Sequence, residues 1–245
     1  MKNIWISGGS SEIAQNIIAI LCDQRQNQMD GCRIIVLSRQ DISLASEYVS
    51  EYVIPVQVDW MADDLTESLK PWVTQYPPHQ VFCCQGVLHN TQQMPEKNLR
   101  SIKRDWLLQS MDTNVWSHIA LAQAIESCLS RRHSVRWLSL SAMVGSIRDN
   151  RLGGWYSYRM SKAALNMLIK NLSIEWQRKN PDNIVAAVHP GTTDTELSQP
   201  FQKNIPAGKL YSAHLTAQRM LAVMAGLTSE DNGRLLHWDG NALPW

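Results

Sequence analysis

The feature that most constrains this chain is a rhythm of short, nearly continuous apolar runs alternating with longer stretches of helical period. Asn3 to Ile6 is a run of the first kind, and Ile13, Ile17, Ile18 and Leu21 then recur on one helical face. Ile34 to Leu37, Val53 to Val58, Val81 to Cys84, Val135 to Leu140 and Ile184 to Val188 repeat the strand-like pattern. Long amphipathic helices read through Leu107, Met111, Val115, Ile119 and Ala122, and through Leu165, Leu168, Ile169, Leu172 and Trp176. A helix near Ala213 to Met224 and a strand near Leu235 to Trp238 close the chain. Pro55 lacks an N–H for the ladder, so its strand is expected at an edge or a strand start. Strands apolar on both faces and separated by helices predict an α/β fold, a doubly wound parallel sheet with helices on both faces. No linker or repeat divides the 245 residues, so one domain over 1–245 is expected.

The charge balance removes whole classes of partner. Lys and Arg number 23 against 22 Asp and Glu, a net charge of +1, which offers no field for nucleic acid or an anionic membrane. The longest apolar runs fall far short of the ~20 residues of a membrane span. Met1 to Ile6 leads into a Gly/Ser turn rather than a cleavable apolar core, so no signal peptide is read. Five cysteines, an odd number, suggest thiols in a reducing compartment, and a cytoplasmic protein is expected. Cys83 and Cys84 are adjacent, which matches no common zinc spacing, and no metal site is expected.

The first strand ends in Ser7-Gly8-Gly9-Ser10-Ser11-Glu12-Ile13-Ala14 and runs straight into a helix. In a doubly wound sheet this is where backbone amides and a helix N-terminus meet a dinucleotide pyrophosphate. Gly8 permits close backbone approach, and Ser10 and Ser11 offer hydroxyls; the same residues also make an ordinary turn and N-cap. Arg39 follows the second strand, where an acidic residue would bind a ribose hydroxyl of NAD and an Arg a 2′-phosphate. NADP(H) is therefore favoured over NAD(H), the alternative being a solvated surface Arg.

Tyr158 and Lys162 stand four residues apart and so share one helical face. Reducing a carbonyl needs a proton donor while hydride arrives, and the reverse needs a base. A nearby ammonium and an oxidised nicotinamide would both favour the phenolate and lower the Tyr158 pKa.

Together these segments resemble the short-chain dehydrogenase/reductase family, and its C-factor and Sniffer-like branch, over nearly the whole chain. Tyr158-Arg159-Met160-Ser161-Lys162-Ala163-Ala164-Leu165-Asn166 looks like the family's active-site helix over nine consecutive positions. The resemblance implies a single Rossmann-like domain, Tyr158 as acid/base and Lys162 as its partner. It implies that Asn114 helps hold a water near Lys162, and that Asp59, with Trp60 beside it, meets the adenine. Ile13 and Gly86 belong to the cofactor-binding segments, as do Pro190, Gly191, Thr193 and Thr195 in the loop after the sixth strand. His189, in the same motif, is expected to be structural. A segment near 196–211 would cover the substrate.

Several positions depart from the family's pattern. Ser7 and Ala14 replace a Thr and a Gly of the first turn, Glu12 replaces a glycine beside the expected pyrophosphate, Cys84-Gln85 replaces the usual Asn-Ala before Gly86, and Ala142 stands where a substrate-binding Ser is expected. Ser141, one residue early, is the candidate to do that job. The implied function is NADP(H)-dependent reduction of a small carbonyl compound, or oxidation of the alcohol, by a homo-oligomer (dimer or tetramer). Glu12 and Ala142 support an alternative, a nucleotide-binding signalling protein of low turnover. A sugar-nucleotide epimerase or dehydratase would need a larger substrate domain than the 55 residues after Pro190.

Overall fold

A computed structural model describes residues 1–27, 31–40 and 52–245. In chain order its main elements are β1 (Lys2–Ser7), α1 (Glu12–Asn27), β2 (Cys32–Ser38), β3 (Val53–Gln57), α2 (Leu65–Gln75) and β4 (Gln80–Cys83). There follow α3 (Arg104–Met111), α4 (Ser117–Glu126), β5 (Arg136–Leu140), α5 (Tyr156–Lys179) and β6 (Ile184–His189). The chain closes with β7 (Thr192–Thr193), β8 (Leu210–Tyr211), α6 (Ala213–Gly226), β9 (Leu235–His237) and β10 (Ala242–Leu243).

Eight strands form one sheet in the order β10-β9-β6-β5-β4-β1-β2-β3. All neighbours run parallel except β10, which pairs antiparallel with β9 at the edge. This is the doubly wound α/β architecture that the alternating pattern predicts. Pro55 lies in β3, an edge strand, where its missing N–H costs no central ladder bond.

Alternate side chains of each strand serve opposite cores. Trp5, Ile35, Leu37, Val81, Trp137 and Val185 pack on the face covered by α2, α4 and α5. Ile4, Ile6, Ile34, Val36, Phe82, Leu138 and Ala186 pack on the face covered by α1 and α6. The period of two along a strand, with both faces covered, explains why these runs read as continuously apolar.

The long helix expected through Leu107 and Ala122 is α3 and α4 joined by a π-helical turn over Asp112–Trp116. No helix among the described residues is long and apolar enough to cross a membrane.

Candidate active site

β1 and β4 lie side by side, with Ser7 level with Cys83, but the helices that follow them cover opposite faces. A crevice opens beyond the strand ends where the winding reverses. Gly8 sits there at φ +73°, and a Cβ on it would fall 2.5 Å from the backbone nitrogen of Gln85. The turn after β1 and the loop after β4 can touch only because residue 8 is glycine.

Gln85 then ties the crevice floor together. Its Oε1 accepts from Ser7 Oγ at 2.7 Å and its Nε2 donates to Ser117 Oγ at 3.0 Å, joining β1 to α4. Gln85, which stands where the family has Ala, thus bridges two elements.

A polar cleft of about 560 Å³ fills the crevice. Its walls include Ser10, Ser11, Ile13, Arg39, Asp59, Trp60, Gly86, Ser141, Tyr158, Lys162, Pro190 and Thr195, so twelve predicted residues do converge. Trp60 meets it while burying its side chain in the core. Asp59 Oδ1 accepts from the Met61 amide at 3.0 Å, which fixes the turn after β3.

A second cavity of about 350 Å³ adjoins the first and shares Ile13, Ser141, Tyr158, Pro190, Thr195 and Leu197 with it. Gly191 and Thr193 line this second cavity and not the polar cleft. The Thr193 hydroxyl pairs with Thr216 Oγ1 at 2.9 Å. Gly8 and Asn114 line neither: the first serves the turn, and the second lies wholly buried behind the wall.

Asn114 occupies the π-turn and clamps three elements. Its Oδ1 accepts from the Val87 amide at 2.7 Å, and its Nδ2 donates to Val87 O at 2.9 Å and Ser161 Oγ at 2.8 Å. A Cβ on Gly86 would lie 3.3 Å from Lys162 Nζ and 3.4 Å from Asn114 Oδ1, so glycine keeps that junction open. Asn114 therefore holds the loop after β4 against α5, directly behind Lys162.

Lys162 Nζ donates to Leu140 O at 2.8 Å and lies 5.8 Å from the centre of the Tyr158 ring. Burial lowers Lys162 to about 8 and pushes Tyr158 above the ordinary tyrosine range. Desolvation governs Tyr158, and the ammonium is directed at a carbonyl oxygen.

Ser141 lines both cavities, but its Oγ donates to Asn166 Oδ1 at 2.6 Å, while Asn166 Nδ2 is buried without a partner. Ala142 packs with Leu88 and Tyr158 in a small apolar cluster. His189 lies on the smaller cavity, kept neutral by burial and by His237, which lower it to about 4.

Sequence reasoning missed one carboxylate. Glu96 is buried, and its side chain accepts from the amide (3.1 Å) and the hydroxyl of Ser157, while its carbonyl accepts from the Trp155 amide at 2.6 Å. Trp155, at the N-cap of α5, offers no side-chain cap, so Glu96 satisfies the first turn of the helix that carries Tyr158. Its 61-residue distance from Ser157 hid it, although an acidic residue is a common partner of a helix start. Glu12 begins α1, and its Oε1 accepts from the Glu196 amide at 2.9 Å across the polar cleft. That bond turns the carboxylate toward the 196–211 segment while leaving it on the cleft wall.

Residues 44–232 match the family model described as enoyl-(acyl carrier protein) reductase, most of the chain. The chain belongs to the short-chain dehydrogenase/reductase family. It is accordingly an oxidoreductase acting between alcohol and carbonyl with a nicotinamide cofactor. It is 25% identical over 246 residues to 1-hydroxy-2-glutathionyl-2-methyl-3-butene dehydrogenase of Rhodococcus sp. (strain AD45), covering 100% of both chains. The C-signal protein of Myxococcus xanthus is 35% identical over 107 residues, 43% of this chain and 58% of that protein. Among solved structures, the carbonyl reductase Sniffer of D. melanogaster superposes with a TM-score of 0.83 at 18% identity, covering 100% of both chains. The NADPH-bound carbonyl reductase from chicken fatty liver does so at 0.81 and 18%, covering 100% of this chain and 94% of that one. Likenesses at this identity speak to the shared fold.

Proposed function

We propose that this protein is an NADP(H)-dependent reductase of a carbonyl compound, with Tyr158 as the proton donor. The observation that carries the reading is the position of Tyr158, on the wall shared by a polar cleft and a smaller cavity, with Lys162 one turn along the same helix. The polar cleft suits a dinucleotide in shape and donor set. Ser10, Ser11 and the start of α1 offer donors to a pyrophosphate, and Arg39 offers a cation to a 2′-phosphate. Asp59 offers an acceptor to an adenine amino group.

The cofactor, when bound, supplies a hydride to the carbonyl carbon. The chain's own part is the proton. Tyr158 gives its phenolic hydrogen to the carbonyl oxygen as the C=O π pair moves onto that atom, leaving a tyrosinate that solvent re-protonates. A tyrosine raised by burial is held neutral, the form that reduction needs. The buried Lys162 ammonium beside it offsets the charge left on the phenol.

Ser141 is the second donor in this reading. Asn166 with its amide turned end for end would donate Nδ2, otherwise unpaired, to Ser141 Oγ, and the serine hydrogen would then face the substrate oxygen. The segment near 196–211 acts as the cover, tied to the loop after β4 by His89 Nε2 at 3.2 Å from Leu197 O. Met160, Met167 and Ile174 are exposed seven residues apart on α5, which supports association with a second copy through that face. A low-turnover nucleotide-binding protein is the second reading, favoured by the Glu12 carboxylate on the cleft wall; cofactor binding without oxidation across a carbonyl panel would select it.

The deciding experiment compares NADPH oxidation by wild type and Tyr158→Phe. The variant is expected to lose about 10²–10⁴ of kcat/KM with NADPH affinity retained, and equal activity would overturn the mechanism. Arg39→Ala is expected to lower the preference for NADPH over NADH about tenfold, measured by fluorescence titration. An unchanged preference would remove the cofactor assignment.

A further inference from the structure

The smaller cavity differs in character from the cleft it adjoins. The polar cleft carries Glu12, Arg39, Asp59 and Lys162 on its walls. Among the described residues, the smaller cavity has no Asp, Glu, Lys or Arg on its walls. Leu88, Ala142, Val144, Trp155, Leu197 and Phe201 form its apolar side and pack as one cluster around Tyr158.

The aromatic members are held in place. The Trp155 and Phe201 rings lie 4.9 Å apart at 54°, and Trp155 stands 6.4 Å from the Tyr158 ring, near edge-on. Trp155 is the sole non-glycine residue with positive φ among the described residues, at +51°. A side chain in that region costs on the order of 1 kcal/mol or more, and it persists only where its surroundings impose it. Here the Glu96 carbonyl takes the Trp155 amide and the two aromatic neighbours take its ring. Ala142 completes the wall: at the position where the family carries a serine, it adds a methyl group to the apolar side beside Tyr158.

We propose that this cavity binds the non-reacting part of the substrate, and that this part is uncharged and aromatic, seated against Trp155 and Phe201 with its carbonyl at Tyr158. The inference rests on the reading of Tyr158 as proton donor, and deepens it by naming the substrate class. A charged group would lose its hydration here and find no counter-ion in return. A ring gains burial and edge-to-face contact. The volume of about 350 Å³ lies in the usual range for a small-ligand cleft.

The test uses the full chain and two readouts. In NADPH oxidation, 2-naphthaldehyde is expected to be preferred over glyceraldehyde and glyoxylate in kcat/KM. Phe201→Ala should raise KM for naphthaldehyde about tenfold or more, and by a larger factor than it raises that for glyceraldehyde. Calorimetric titration with 2-naphthamide, which cannot be reduced there, reads the cavity without turnover. Binding is expected in wild type and Tyr158→Phe, weakened in Phe201→Ala and in Ala142→Ser, a change small enough to leave the fold intact. Preference for glyoxylate or glyceraldehyde, or naphthamide binding indifferent to both wall variants, would overturn the inference. Naphthamide binding with no carbonyl reduced would leave it standing and remove the catalytic reading. Activity lost in Tyr158→Phe with a preference for glyoxylate would do the reverse.

Discussion

The two ends of the polar cleft are built in opposite ways. At the catalytic end the Tyr158 helix is fixed by buried groups: Glu96 on its first turn, Asn114 on Ser161 and Leu140 O on Lys162. At the phosphate end the turn is held by Gly8 against Gln85, and a carboxylate, Glu12, reaches across the cleft to Glu196. A buried hydrogen-bond network tolerates little change, because each lost partner leaves an unsatisfied group. A half-exposed carboxylate can be removed with small effect on the fold. The difference explains how the chain keeps the active-site helix over nine positions while departing from the family at its glycine turn.

Three perturbations test that contrast, in decreasing order of effect. Glu96→Ala removes a buried cap and strands the Ser157 amide and hydroxyl, so denaturant unfolding is expected to show a loss of roughly 2–4 kcal/mol. A loss under ~0.5 kcal/mol would mean that the catalytic end is not the rigid one.

Raising the pH acts next. Lys162 lies near 8, below its usual value, so its ammonium is lost as pH rises through 8. Carbonyl reduction is expected to fall about tenfold per pH unit above that point. The stability sign is opposite. The unfolded chain keeps this proton to about 10.4, so between 8 and 10.4 the group makes the fold more stable as pH rises. A rate that declines while the melting temperature holds would separate titration from unfolding.

Glu12→Gly should do least to the fold and tighten NADPH binding several-fold, by removing a negative charge beside the phosphates. Titration by fluorescence checks it, and weaker binding would show that the bond to Glu196 helps to shape the cleft.

Much of the architecture is legible because the inner strands of the sheet bury both faces, which writes an unbroken apolar run into Ile4 to Ile6 or Ile34 to Leu37. Tyr158 and Lys162 are legible because helical spacing alone puts them on one side. What escapes depends on contacts between distant residues. Glu96 reaches Ser157, Gln85 links Ser7 to Ser117, and Ser141 meets Asn166, although each residue is in plain view. β7, β8 and β10 have two residues each, too few for any period. The left-handed backbone of Trp155 has no compositional signal, since that conformation ordinarily selects glycine.

The wall common to the two cavities has a thermodynamic consequence. Six residues, Tyr158 among them, bound both spaces, so a molecule in either one dehydrates and braces a surface that the other must use. Occupancy of the two spaces is then linked: whatever factor one ligand applies to the affinity of its neighbour, the neighbour returns unchanged. Neither affinity is a property of one cavity alone.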